Sequence, residues 1–301
     1  MLPTAVVLAA ALAVLVVAVP RLARAGWPAR SPSVALLLWQ ALGLSGGLLA
    51  VEVAATVALA PLGPTHPAAV RAIAGGAGVP PWWSLAAAAV GVALLGRLLA
   101  VLLTSTVRTL RARHRNRVLV DLVATRNPLL RGALVVDHDL PVAYCLPGLR
   151  PRVVVSRGVL TALDEREVRA VLDHELAHVA QRHDLVVLPF VALGATFPGL
   201  PVVRCAQEQV ALLVEMLADD TAARRCDGRV LARALWKVGR GPAPAGGLGA
   251  GASDVLARAE RLLHPPAPLP APARLLVLAG ALATAALPVL GLLLPPVVSA
   301  L

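Results

Sequence analysis

Four apolar runs, at residues 3–20, 34–62, 83–107 and 275–298, constrain this chain more than any other feature. A helix rises about 1.5 Å per residue, so roughly 20 apolar residues cross a hydrocarbon layer of about 30 Å. The 301 residues are 58% hydrophobic and 15% charged, whereas soluble domains carry roughly 25% charged residues. An ordinary soluble enzyme and an intrinsically disordered chain are both excluded by that balance. The expected class is a mainly α membrane protein with four transmembrane helices, and the remaining length suffices for one further folded unit. Three cysteines, Cys145, Cys205 and Cys226, occur in no CxxC pair and imply neither a disulfide framework nor a thiolate metal site.

Loop charge sets the expected orientation. Arg21, Arg24 and Arg30 follow the first run, and Arg71 alone lies between the second and third. Arg108, Arg111, Arg113, Arg115 and Arg117 crowd together after the third. Basic loops stay on the cytoplasmic side, which puts the amino terminus outside and everything from about residue 108 to 274 in the cytoplasm. The run from Arg108 to Arg117 reads as topology signal and lipid-phosphate contact, the overall bias to arginine reads as genome composition, and despite the formal net charge of +11 no direct nucleic-acid partner is expected. Glu52 and Arg97 fall within the second and third runs, at depths too different for a direct pair.

Three domains follow: residues 1–107 with three spans, 108–274 as a cytoplasmic unit, and 275–301 with the fourth span. Residues 108–126 read as a helix leaving the membrane. Apolar segments at 133–136, 141–145 and 152–156 read as short strands. Asp164 and Glu167 have capping-box spacing, so a helix is expected from there to about Arg182. A second long helix is expected from about Val203 to Arg225, and a further one over 253–263.

Inside the first of these helices lies His174-Glu175-Leu176-Ala177-His178. Residues four apart on a helix share a face, so both imidazoles can hold one ion, with Glu175 beside them as the proton acceptor for a bound water. A catalytic zinc takes three protein ligands and keeps a position for water. On a continued helix, His183 would lie about 180° around the axis from His174, which makes it a surface residue rather than the third ligand. Glu215 and Asp219, one turn apart on a later helix, fit better. Glu215 closes the set His174, His178, Glu215, and Asp219 orients a ligating imidazole through its other nitrogen. Glu208 shares that face but has no matching Asp. Residues 185–203 are apolar enough to suggest a fifth span. A single crossing would separate Glu215 from the two histidines, and Pro189, Pro198 and Pro201 interrupt the run. A membrane-associated hairpin is expected there.

The H-E-x-x-H helix, the later Glu215-Met216-Leu217-Ala218-Asp219, the Pro141–Cys145 segment and the stretch Val153–Gly158 together resemble the membrane zinc metallopeptidases typified by the BlaR/MecR sensor-transducers. They are more distantly similar to HtpX and CAAX prenyl proteases. The resemblance implies a cytoplasmic α+β gluzincin-type metallopeptidase domain inserted between spans three and four. It also implies Zn²⁺ held by His174, His178 and Glu215, Glu175 as general base, and an edge strand over 141–148, with Ala143, Tyr144 and Cys145, to which an extended substrate adds. Tyr144, His183 and Arg224 are candidates for stabilising the oxyanion. The expected partners are the lipid bilayer and a protein or peptide substrate, a transcriptional repressor among them, in a bacterial cell membrane. With the chain ending at Leu301, no extracellular penicillin-binding sensor domain is expected. The competing reading is a non-catalytic signal transducer with a structural metal site, for which the base Glu175 would have no use.

Overall fold

A computed structural model describes residues 1–76, 78–126, 133–146, 152–238 and 252–298. The helices are α1 (Leu2–Ala23), α2 (Pro32–Leu59), α3 (His66–Ala74) and α4 (Trp82–Val123). Four strands follow: β1 (Thr125–Arg126), β2 (Leu134–Val136), β3 (Ala143–Leu146) and β4 (Arg152–Ser156). The described elements that follow are helices: α5 (Arg157–Ala162), α6 (Glu165–Ala180), α7 (His183–Thr196), α8 (Pro201–Ala222), α9 (Gly228–Val238), α10 (Ala252–Leu263) and α11 (Ala271–Val298). Among the described residues, four helices are long and apolar enough to cross a membrane: Leu2–Ala23, Pro32–Leu62, Trp82–Leu122 and Ala271–Leu293. The third is longer than its apolar run, because α4 continues unbroken past residue 107 and carries the arginine-rich stretch with it. Alanine, leucine and arginine are all good helix formers, and nothing in that stretch breaks the ladder.

The sheet has strand order β1-β2-β4-β3, with β2 and β4 parallel, β1 antiparallel to β2 and β3 antiparallel to β4. Alternation along the strands sorts their side chains to two faces. Val153 and Val155, with Ala143 and Cys145, pack against Val168, Val171 and Leu172 of α6. Val154 and Leu146, with Tyr144, pack against Val120 near the end of α4. Tyr144 therefore lies on the face of the sheet away from α6, and this removes it from the oxyanion candidates. Gly158, just beyond β4, allows a close backbone approach: a Cβ there would lie 2.1 Å from the carbonyl oxygen of Asp139.

The run at 185–203 forms a helical hairpin. Pro189 lies inside α7 and does not end it, so the break expected there is absent. The turn instead falls at residues 197–200, where Gly199 takes φ 83°. Side chains from three neighbouring helices hold the α7 backbone. Gln40 of α2 donates to the Val186 carbonyl at 2.8 Å, and Gln207 of α8 donates to Phe190 at 3.0 Å. Arg97 of α4 caps the carboxyl end, with Nε 2.9 Å from the Thr196 oxygen and Nη2 3.2 Å from that of Ala195. A cation at the negative end of a helix dipole is favourable. That accounts for an arginine deep in an apolar helix without recourse to Glu52. Phe190 enters the core of α1, α2 and α8 beside Trp39 and Leu213. Gly43 admits it, since a Cβ there would lie 3.1 Å from its ring. The helix α8 thus lies with one face on the apolar helices and the other toward α6.

Candidate metal centre

Local signals fix the start of α6. The Asp164 carboxylate accepts from the Arg166 and Glu167 amides at 2.8 and 2.9 Å, and Glu167 Oε2 accepts from the Asp164 amide at 2.9 Å. Glu167 is fully buried, and its partner is Lys237 of α9, the sole lysine, at 2.7 Å. Anchored this way, α6 presents His174 and His178 toward α8. Their Nε2 atoms stand 3.1 Å apart. Glu215 Oε2 is 3.4 Å from His174 Nε2, and Glu215 Oε1 is 3.5 Å from His178 Nε2. Donors bound tetrahedrally at about 2.0–2.1 Å from a zinc ion are separated by roughly 3.3 Å. Two nitrogens and a carboxylate at these separations fit such an ion. The three residues form a potential metal-binding group in which one donor atom from each lies within 4.8 Å of the others.

Electrostatics around the three residues suit a cation. Burial alone would raise the Glu215 carboxyl, but the two imidazoles and Arg258 override it and hold the group well below its ordinary value. Burial likewise opposes a charge on His174, yet Asp219 and Glu215 hold a proton there far more tightly than on an ordinary histidine. The centre is thus built to keep positive charge, and a metal ion competes with that proton. Asp219 is 1% exposed, with Oδ1 3.0 Å from His174 Nδ1. Glu175 sits next in sequence, half-buried. Burial raises its carboxyl, with the two imidazoles and Arg258 pulling the other way.

Arg258 was not among the residues singled out from the sequence. It lies on α10, 5% exposed, and forks onto Asp219 with Nε and Nη2 each 2.8 Å from a carboxylate oxygen. Its Nη1 is 2.9 Å from Glu215 Oε2. The signal was present: Val255, Ala259 and Leu262 form the buried stripe of α10, and Arg258 interrupts it. Three turns of helix therefore supply both a wall of the core and the counter-charge of the centre. One turn on, Arg261 pairs with Asp220 at 2.6 and 3.0 Å and donates to the Ala29 carbonyl between α1 and α2.

His183 departs from expectation. It is 3% exposed, its Nδ1 2.9 Å from His178 Nδ1. The helix of the motif stops at Ala180, and Arg182 takes the left-handed conformation at φ 49°. The chain doubles back, so the helical-wheel argument that sent His183 to the surface does not apply. Burial and the neighbouring imidazole push its pKa down to about 4 and keep it neutral. Arg224, the remaining oxyanion candidate, is exposed and bonded to Thr221. Strand β3 occupies the edge of the sheet next to α6, with Cys145 on the α6 side. Residues 147 and 148 of the expected edge segment lie outside the described residues.

Residues 110–223 match the sequence model of Peptidase family M48. The match runs from the second half of α4 to just beyond α8 and includes His174, His178, Glu215 and Asp219, but not Arg258. A Protease HtpX homolog of Methanothermobacter thermautotrophicus is 35% identical over 81 residues, which are 26% of this chain and 31% of that protein. The chain thus spans about a third of the length of the curated relative it matches. No solved structure matches. The part of the chain that carries the His174, His178 and Glu215 motifs is thus similar to Peptidase family M48, in a chain with four described helices long and apolar enough to cross a membrane. Of the two resemblances drawn from the sequence, the one to HtpX is met by this partial match.

Proposed function

We propose that this chain is a multi-pass membrane zinc endopeptidase that cleaves cytoplasmic or membrane-proximal polypeptides at the inner membrane surface. The observation that carries the reading is the meeting of two imidazoles from α6 and one carboxylate from α8, with Glu175 beside them. His174, His178 and Glu215 would hold the ion. Zinc bound in this way supplies Lewis acidity and lowers the pKa of a water to about 7.

The residues of the chain do the rest. Asp219, 3.0 Å from His174 Nδ1 and itself held by the Arg258 fork, would orient that imidazole, and Arg258 Nη1 on Glu215 Oε2 leaves Oε1 facing His178. Glu175 takes a proton from the attacking water on its carboxylate and returns it to the leaving amine. The outer edge of β3, on which no strand pairs among the described residues, is suited to receive an extended substrate by main-chain pairing, the geometry that a peptidase needs to present one bond at a time. The arginines that follow the first and third apolar runs favour a cytoplasmic site. The α7–α8 hairpin, packed among apolar helices, supports a site close to the bilayer. A repressor protein is one substrate class consistent with that location.

Purified protein assayed on an unfolded, fluorescently labelled polypeptide tests the proposal. Glu175→Gln keeps the shape and the ligands, and its cleavage rate should fall by roughly 100-fold or more. Undiminished cleavage by this variant would show that the activity resides elsewhere, and undiminished signalling without cleavage would favour a transducer.

A further inference from the structure

A chain of side chains leads away from His178 into the protein. His178 directs Nε2 toward His174 and Nδ1 toward His183 Nδ1, 2.9 Å away. His183 presents Nε2 to Gln181 Oε1 at 3.0 Å. Gln181 Nε2 donates to Thr221 Oγ1 at 2.6 Å, and the Thr221 hydroxyl donates to the Leu217 carbonyl at 2.9 Å. Arg224 Nη2 also donates to Thr221 Oγ1, at 3.1 Å.

Donors and acceptors along such a chain are not independent. A guanidinium only donates, and a main-chain carbonyl only accepts. With its proton on the Leu217 oxygen, the Thr221 hydroxyl can only receive from Gln181. The Gln181 amide must then turn its oxygen to His183, so the ring proton of His183 sits on Nε2 and its lone pair on Nδ1. That lone pair accepts the Nδ1 proton of His178. A neutral imidazole protonated on Nδ1 carries its lone pair on Nε2, the atom that faces His174 and Glu215. Reversing every bond would place a proton on His178 Nε2, where a cation must sit, and would withdraw the Thr221 hydroxyl from Leu217.

We infer that His183, held by Gln181 and Thr221, is a positioning residue that sets the tautomer and ring orientation of His178 for a metal ion. The inference rests on the reading of His174, His178 and Glu215 as a metal centre. His183 is turned away from that centre, since both of its nitrogens are engaged elsewhere, so it acts only through His178. The two ligating histidines are then supported differently. His174 backs onto the charged Asp219–Arg258 pair, and His178 onto a relay through His183, Gln181 and Thr221 that adds no further anion to a site already rich in carboxylates.

The test is zinc affinity of the full-length protein in detergent, measured at fixed pH by competition with a chromophoric chelator. Outer-sphere partners of ligating histidines typically change metal affinity by about 10–100-fold. His183→Phe, which fills the space without an acceptor, should weaken zinc binding by at least about tenfold. His183→Asn, smaller but with an oxygen that accepts from His178 Nδ1, should stay within about threefold of wild type. A purely space-filling role predicts the opposite order, so equal affinity of the Phe variant, or equal loss in both, overturns the inference. Should His183→Phe fail to fold, Thr221→Val replaces a hydroxyl by a methyl two links away. It should lose affinity several-fold, and wild-type binding by Thr221→Val overturns the relay. Wild-type protein that binds no zinc would refute the metal centre itself, a result distinct from zinc binding that is indifferent to residue 183.

Discussion

Replacing Arg258 by methionine keeps most of the aliphatic volume of the side chain and removes one positive charge from the interior. The guanidinium is 5% exposed, and its three nitrogens lie 2.8, 2.8 and 2.9 Å from oxygens of Asp219 and Glu215. Asp219 is 1% exposed, so the stranded carboxylate gains no water in exchange. Removing one partner of a buried ion pair costs about 3–5 kcal/mol. His174, 3.0 Å from Asp219, takes up part of the unbalanced charge, which argues for the lower end, about 3 kcal/mol. For a unit of this size each kcal/mol moves Tm by roughly 2–4 °C, so the metal-free variant should melt about 6–12 °C below wild type. Tryptophan fluorescence in detergent, with a chelator present, reads this directly. Saturating zinc should shrink the deficit, because a divalent cation then balances Glu215. The double variant Arg258→Met/Asp219→Asn should be less destabilised than the single one. A single variant that melts within about 2 °C of wild type without metal would refute the reasoning. The pH dependence has a definite sign. Burial tends to raise the Asp219 carboxyl, but the Arg258 fork and then His174 hold it below its ordinary value. The stability it contributes is therefore complete above pH of about 4 and lost as the pH falls through the lowered pKa.

Three further outcomes are expected. Burial, reinforced by the charge of Glu175, pushes the Cys145 thiol up to about 12, so alkylation at pH 8 followed by peptide mass spectrometry should be about 1,000-fold slower than for an ordinary thiol. Labelling at the rate of glutathione would contradict the packing of β3 against α6. Lys237→Met leaves the buried Glu167 with the Asp164 amide as its remaining partner among the described residues and should cost about 2 kcal/mol or more by thermal melting. Adding Glu167→Gln should recover part of that loss. Gly158→Ala forces a methyl against the Asp139 backbone and should destabilise by about 1–3 kcal/mol. An unchanged melting temperature would show that the 137–141 segment is not seated on α5.

The parts of the centre that the sequence reveals are those written in local spacing. Asp164 and Glu167 announce α6, the motif spaces two imidazoles by one turn, and Glu215 and Asp219 repeat that spacing on α8. Each is a statement about one helix, and helical periodicity carries it. What escaped depends on where a helix stops or on which helix lies opposite. The position of His183 turned on whether α6 passes Gln181. It does not, because a left-handed arginine ends it, and no residue preference signals that conformation. Arg258 belongs to a helix nearly 40 residues beyond Asp219, and its burial becomes visible only once α10 closes over α8. Strand order was equally non-local: three of the four strands were expected, but not that β4 would lie between β2 and β3. The alternation within β3 did contain the fact that Tyr144 and Cys145 face opposite ways. Arg97 looked costly because its partners are main-chain carbonyls of α7, which a search among acidic side chains could not find.

The uninterrupted α4 has a mechanical implication. Its 42 residues make a rod about 63 Å long, apolar over its first part, with the sheet attached at its far end through β1. A span tilts when the surrounding bilayer thins, and a stiff rod turns tilt into lateral travel. With the pivot near residue 107, the protruding arm is about 24 Å, and a tilt of about 10° sweeps its tip through roughly 4 Å. That is close to the distance between adjacent strands, so if α4 crosses the bilayer as proposed, such a tilt would carry the whole attached sheet with it, from β1 across to the far edge at β3.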